Sequence, residues 1–325
     1  MVPVWVIVLI KSLIVLGVVI TTFAYAMLFE RKILGWMQLR PGPNRVGPWG
    51  MLQPAADAVK MIFKEDLTPR NADPLIYRLA PFISLLTAMG TFAIIPFSEG
   101  PIWVVGNVNA GILFIFALTS ISVYGISLAG WASASKYPLL GSIRSTAQMI
   151  SYELAMTLSV VGVLILAGTT SLGGIVHAQA NMWYIVPQFV GFIIYLVTAV
   201  AETNRAPFDL VEAETELVGG FHTEYSGLRF GLFFIAEYLN MITVSCLATL
   251  LFLGGWSAPF GLVMVPGIVW FLIKAGIFLF IYMWLRGTLP RLRYDRLMAL
   301  GWKILLPVAT LNLIVTSAVI AVRGA

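Results

Sequence analysis

The 325-residue sequence contains one cysteine, Cys246, and two histidines, His177 and His222. A lone cysteine inside an apolar run excludes an intrachain disulfide, a thiolate zinc site and a four-cysteine iron–sulfur cluster. The histidines fall in loops that the topology below assigns to opposite sides of a membrane, so they cannot ligate one haem together. Neither G-x-G-x-x-G nor G-x-x-x-x-G-K-[ST] occurs, which removes the usual nucleotide-binding loops. The chain is therefore expected to bind no redox cofactor, nucleotide or metal. Charge is scarce as well, at 11% of residues against 59% apolar types. Internal repeats and low-complexity linkers are missing, so residues 1–325 read as a single membrane domain.

What is present is apolar length. Mean hydropathy is +0.92, and the apolar runs approach the roughly 20 residues that cross a hydrocarbon core as a helix. Soluble classes are excluded. The first run, residues 4–29, is too long for a signal-peptide core and meets Glu30-Arg31-Lys32 without a small-residue cleavage site, so it is expected to stay as an anchor. Spans are expected at residues 4–29, 79–97, 110–131, 144–167, 185–202, 230–253, 263–286 and 303–322. The fold class is thus an all-α polytopic membrane protein of about eight transmembrane helices with no soluble domain.

Basic residues orient these spans. Of 20 Lys and Arg, eight lie in residues 31–78, Lys136 and Arg144 in the next loop on that side, Arg205 and Arg229 in the third, and five in 286–303. The alternate loops carry none, which places the basic loops (about 30–78, 132–143, 203–229 and 287–302) on the cytoplasmic side and both termini opposite. Orientation also accounts for the net charge of +5, so nucleic acid is not an expected partner.

In the first basic loop, Ala55, Ala56, Val59, Ile62 and Phe63 follow helical spacing while Asp57, Lys60 and Lys64 take the other face, with Pro54 in the first turn. Such a short amphipathic helix fits the membrane interface. A soluble-side helix packed on a partner is the alternative. Just upstream, Arg40-Pro41-Gly42-Pro43-Asn44-Arg45-Val46-Gly47-Pro48 reads as a turn region that cannot be helical.

The acids are unevenly placed. Glu202, Asp209, Glu212, Glu214, Glu216 and Glu224 gather around a single basic residue, Arg205. In an extended segment Glu212, Glu214 and Glu216 share a side; in a helix Glu214 points away from the other two. Carboxylates so close resist ionising together, so the cluster can store or pass protons. Glu153 and Lys274 lie near the middle of their spans, Glu237 about two turns inside the sixth, and Glu202 closes the fifth. Each ionised group at the bilayer centre costs about 2.5–3.5 kcal/mol, so they must face protein, water or one another. One reading is a structural Glu237–Lys274 ion pair with Glu153 inert. The other is a line of titratable groups that conducts protons, aided by Gln148, Ser151, Tyr152 and Thr157. The last basic loop, with Arg286, Arg291, Arg293, Asp295 and Arg296, carries more charge than orientation needs and points to an acidic partner or anionic lipid.

Several motifs carry a resemblance. Glu30-Arg31-Lys32-Ile33-Leu34-Gly35, the 40–47 turn and Leu52-Gln53-Pro54-Ala55-Ala56-Asp57 resemble the quinone-chamber membrane component of respiratory complex I, the family that takes in NADH dehydrogenase subunit 1 and its bacterial counterparts. So do Gly130-Trp131-Ala132-Ser133, Ala201-Glu202-Thr203-Asn204-Arg205-Ala206-Pro207-Phe208-Asp209-Leu210, Glu224-Tyr225, Ala236-Glu237-Tyr238 and Leu289-Pro290-Arg291-Leu292-Arg293-Tyr294-Asp295. The resemblance runs from the first span to the last.

It implies a subunit at the joint of the membrane and hydrophilic arms of a proton-translocating NADH-quinone oxidoreductase, in a respiratory, most simply bacterial inner, membrane. Quinone would be the substrate. FMN and iron–sulfur clusters would reside in partner subunits, and the complete active site would not lie in this chain alone. By the same resemblance Glu30, Arg31, Asp57 and Lys60 lie near the quinone entrance, and Arg205, Asp209, Glu212, Glu214, Glu216 and Glu224 belong to the chamber wall. Glu153, Glu202, Glu237 and Lys274 match the start of a charged axis toward antiporter-like subunits. A related hydrogenase membrane component, a stand-alone transporter and a structural anchor are the competing readings.

Overall fold

The computed structural model describes residues 4–106, 108–209, 219–259 and 265–323. All regular structure among them is helical. In chain order the helices are α1 (Val4–Met37), α2 (Gln53–Phe63), α3 (Pro74–Thr91), α4 (Gly111–Ala132), α5 (Lys136–Ala167), α6 (Leu172–Ala178), α7 (Phe189–Glu202), α8 (Gly227–Phe252) and α9 (Gly267–Thr288). Then α10 (Tyr294–Ala299) runs through a π-helical turn, Leu300–Leu305, into α11 (Leu306–Arg323).

Six of the described helical segments are long and apolar enough to cross a membrane: α1, α4, α5, α8, α9 and the continuous α10–α11. The remaining two expected spans differ. Where residues 185–202 read as a span, α7 begins only at Phe189 and holds 14 residues. Pro187 explains the late start, because proline disfavours helical backbone in the residue before it and has no N–H to donate. Where residues 79–97 read as a span, α3 starts earlier, with Asp73 accepting from the Leu75 and Ile76 amides, and ends at Thr91. A proline sits inside α3 as well. Pro81 cannot donate to the Tyr77 carbonyl, and the Tyr225 hydroxyl donates to that oxygen instead, at 3.2 Å.

Packing runs α3 on α4, α4 on α5, and α5 on α7 and α11, with α8 held between α3 and α9. Most of α8 from Tyr238 to Phe252 is buried, whereas α1 exposes Leu9, Ile10, Leu13, Ile14 and Val18 along its length. At 34 residues and 1.5 Å per residue, α1 is roughly 50 Å long, which exceeds a hydrocarbon core of about 30 Å and carries Glu30 and Arg31 toward the surface.

Small residues set the closest approaches. A Cβ on Gly141 would lie 2.7 Å from the Gly220 Cα, so the glycine lets the Gly220–His222 turn seat against α5. The helix expected around Asp57 is α2, with Val59, Ile62 and Phe63 exposed. The turn region before it is irregular, apart from a 3-10 turn at Pro48–Gly50.

Candidate functional site: a buried charge network

The site starts where α7 stops. After Glu202 the chain turns sharply, with Asn204 at φ 51, a left-handed conformation that Asn tolerates better than most residues. This turn aims Arg205 back between α1 and α8. Its guanidinium Nη1 lies 3.1 Å from Glu30 Oε1 on α1, and its Nε lies 2.7 Å from Glu237 Oε1 on α8. The Tyr238 ring covers it at 4.3 Å. A second cation, Arg286 near the end of α9, pairs with the same Glu30.

Three helices and the turn after α7 thus bring two arginines and two carboxylates together. Glu30 and Arg205 are only 3% and 5% exposed, a depth at which an unpaired charge is strongly destabilising. The formal charges cancel. Burial opposes the charge on Arg205, but the Glu237 and Glu30 carboxylates outweigh it and hold the guanidinium protonated, above its ordinary range.

Toward the basic-loop side the network continues as surface pairs. Arg31 meets Asp57 at 2.7 Å, and Gln53 donates to Asp57 at 2.9 Å, which ties α2 to α1. Lys60 is exposed on α2. Asp209 is buried and pairs with the more exposed Arg291 at 3.1 Å, while the Leu292 amide donates to the Pro207 carbonyl at 3.0 Å. Arg293 and Asp295 pair in the open at 3.0 Å, and Arg296 is exposed beside them. The Glu224 carbonyl accepts from the Tyr77 hydroxyl at 2.6 Å. Glu212, Glu214 and Glu216 lie outside the described residues.

Deeper on the same side is a cavity of about 50 Å³, room for a few water molecules, with polar groups set into a largely apolar wall that includes Phe221, Phe230, Phe233 and Phe234. Glu202 and Glu237 both line it, with Thr203, Asn204, His222 and Asn240. Glu202 is 7% exposed, and its Oε2 has no hydrogen-bond partner among the described residues. Glu153 on α5 lies within electrostatic reach of Glu202 and accepts from the Ser120 hydroxyl on α4. Gln148 braces the turn that carries Arg205, donating to the Ala201 and Phe208 carbonyls at 2.8 and 3.0 Å.

Lys274 stands apart. Its ammonium donates to the Leu253, Gly255 and Ser257 carbonyls at 2.7, 3.0 and 2.7 Å and lies 4.4 Å from the Trp183 ring centre. The Glu237–Lys274 pairing considered from sequence is replaced by Glu237–Arg205. Arg286 is the residue that sequence reasoning missed as a site member. From sequence it belongs to a basic loop meant for an acidic partner or anionic lipid, and only the approach of α9 to α1 gives it Glu30. His222, read as a loop histidine, is part of the cavity wall.

Comparison with known proteins covers nearly the whole chain. Residues 10–317 match the NADH dehydrogenase family. The chain is 53% identical to the H subunit of the NADH-quinone oxidoreductase of Syntrophotalea carbinolica, over 98% of each chain. It is 52% identical to the second such H subunit of Geobacter sulfurreducens over 94% of each. Against the H subunit of Deinococcus deserti the identity is 54%, over 96% of this chain and 83% of the relative.

Proposed function

The chain belongs to the NADH dehydrogenase family, among the H subunits of NADH-quinone oxidoreductases, and on that premise we propose that it couples quinone reduction to proton translocation. It acts as a membrane component of the assembled oxidoreductase, with the other subunits as partners. Quinone is the substrate, the hydrophilic partners supply FMN, iron–sulfur clusters and most headgroup contacts, and this chain binds no cofactor. Together they enclose a chamber.

The observation that carries this reading is the neutral set Glu30–Arg205–Glu237–Arg286, built around the buried Glu30 and Arg205, next to a cavity lined by Glu202. A membrane anchor has no need of buried charge, whose insertion cost is large. Charge balance makes the set responsive: negative charge developing on a quinone near Arg31, Asp57 and the Arg205 turn competes for the two guanidiniums. Glu237 then loses part of its compensation and gains affinity for a proton. Glu202 and Glu153 extend that response toward the membrane subunits. The wall carboxylates Asp209, Glu212, Glu214, Glu216 and Glu224 exchange protons with the cytoplasm, and the exposed Arg293, Asp295 and Arg296 dock a hydrophilic partner. The membrane is the bacterial inner membrane, with both termini periplasmic, consistent with the distribution of basic residues.

The test uses the assembled enzyme reconstituted in vesicles. Glu202→Gln and Glu153→Gln are expected to keep complex size and electron transfer to an acceptor that bypasses quinone, while proton pumping and coupled quinone reduction fall severalfold. Normal pumping per quinone reduced in both variants would overturn the coupling role.

A further inference from the structure

His222 lines the same cavity as Glu202 and Glu237. It closes the short Gly220–His222 turn, which the glycine contact at Gly141 presses against α5. Its ring is wedged edge-on between Phe221 and Phe230, with centroids 5.0 and 5.2 Å away, a packing that orients the ring through its faces and edges. Asp209, the described acid of the loop leading out of α7, interacts with it electrostatically. Glu202 closes α7 and Glu237 projects from α8; α3, α4 and α5 contribute only Ser84, Ser122, Ile126 and Met149 to the lining, none of which titrates.

We infer that His222 is the proton relay between the cytoplasmic loop and Glu202, working through water in the shared cavity. The inference rests on the coupling role proposed above. One ring nitrogen takes a proton from hydronium supplied by the loop on the Asp209 side, leaving neutral water and a transient imidazolium. The other releases its proton to cavity water, which delivers it to the Glu202 carboxylate; one N–H forms and one breaks, water-assisted exchange between the two nitrogens restores the starting tautomer, and no electrons move.

Three observations meet here. Glu202 Oε2 is a buried acceptor without a described partner, the kind of atom that internal water satisfies. The cavity has room for that water. Burial pushes the imidazole down to about 4, against the opposing pull of Asp209, so the ring rests neutral and carries a proton only in passage. A packing histidine between two phenylalanines needs the ring but no exchangeable proton, and this difference is measurable.

The experiment compares His222→Gln and His222→Ala in the assembled enzyme in vesicles, following quinone reduction, pumping and the H₂O/D₂O rate ratio from acid to alkaline pH, with and without added imidazole. Loss of the relay is expected to slow coupled turnover roughly tenfold and to raise the isotope effect, with imidazole restoring the Ala variant. Wild-type rates and isotope effect in His222→Gln would overturn the relay. A loss that leaves the isotope effect unchanged and ignores imidazole would overturn it too, in favour of packing. Should His222→Ala fail to assemble, His222→Gln decides alone by the same rates and isotope effect. A relay failure with Glu202→Gln still uncoupled removes only His222; failure of both sets removes the coupling role itself.

Discussion

Two ends of the same helix, α8, bury charge in opposite ways. Near the start, Glu237 shares Arg205 with Glu30 and borders a cavity with an unsatisfied carboxylate oxygen. At the far end, Lys274 has three carbonyl acceptors, and Gln179 accepts from the Tyr184 and Gly254 amides while donating to the Leu250 carbonyl at 2.8 Å. Backbone carbonyls cannot take a proton at ordinary pH, whereas carboxylates can. The first end is therefore adjustable, because its partners titrate and water has room. The second seats its cation on fixed backbone carbonyls of the turn that follows α8, while Gln179 caps the Leu250 carbonyl of the helix itself.

The sharpest way to break this contrast is Arg205→Ala. It removes the cation that Glu30 and Glu237 share, leaving Arg286 as the one guanidinium of the set, and is expected to cost about 3 kcal/mol, read as a large drop in assembled complex and in its thermal midpoint. Restoring charge balance with a second substitution, Glu237→Gln, should recover part of that loss. A single variant as stable as wild type would refute the burial argument.

Next in size is a pH effect at the adjustable end. His222 sits at about 4 in the fold against an ordinary value of 6.5, lowered by burial. Unfolded chain takes up the proton first, so the histidine's contribution is present above pH 6.5 and is lost as pH falls toward 4. The loss approaches roughly 3 kcal/mol at full effect. Denaturation profiles from pH 8 to 4 should be flatter for His222→Gln than for wild type by that amount.

At the fixed end, Lys274→Met is expected to cost about 2 kcal/mol in stability while leaving pumping per quinone reduced unchanged. Impaired pumping in a stable Lys274→Met enzyme would put the lysine on the proton path and erase the distinction between the two ends. The smallest effect expected is that of Tyr225→Phe. Removing the donor to the Tyr77 carbonyl beneath Pro81 should lower the thermal midpoint by the equivalent of about 1 kcal/mol, with activity intact.

Much of this was legible in one dimension. Apolar runs announced α1, α4, α5, α8 and α9, since a span needs only length and composition. The helical spacing around Asp57 announced α2. Glu153, Glu202, Glu237 and Arg205 stood out because charge in such a chain is rare. Their partners did not. Glu30 and Arg205 are 175 residues apart and Glu30 and Arg286 256, so no local spacing connects them. Likewise Lys274 was visible as a buried cation, but its acceptors are carbonyls, which every residue has and no sequence pattern marks.

The sequence by itself determined that this protein is a multi-pass helical membrane chain and which few side chains had to be compensated. Those are properties of transfer from water to lipid, summed residue by residue. Tertiary structure alone decided that Arg205 and not Lys274 neutralises Glu237, that Arg286 joins Glu30, and that His222 and Glu202 share a cavity. Electrostatic compensation depends on distance through space, and only the packing of α1, α7, α8 and α9 sets that distance.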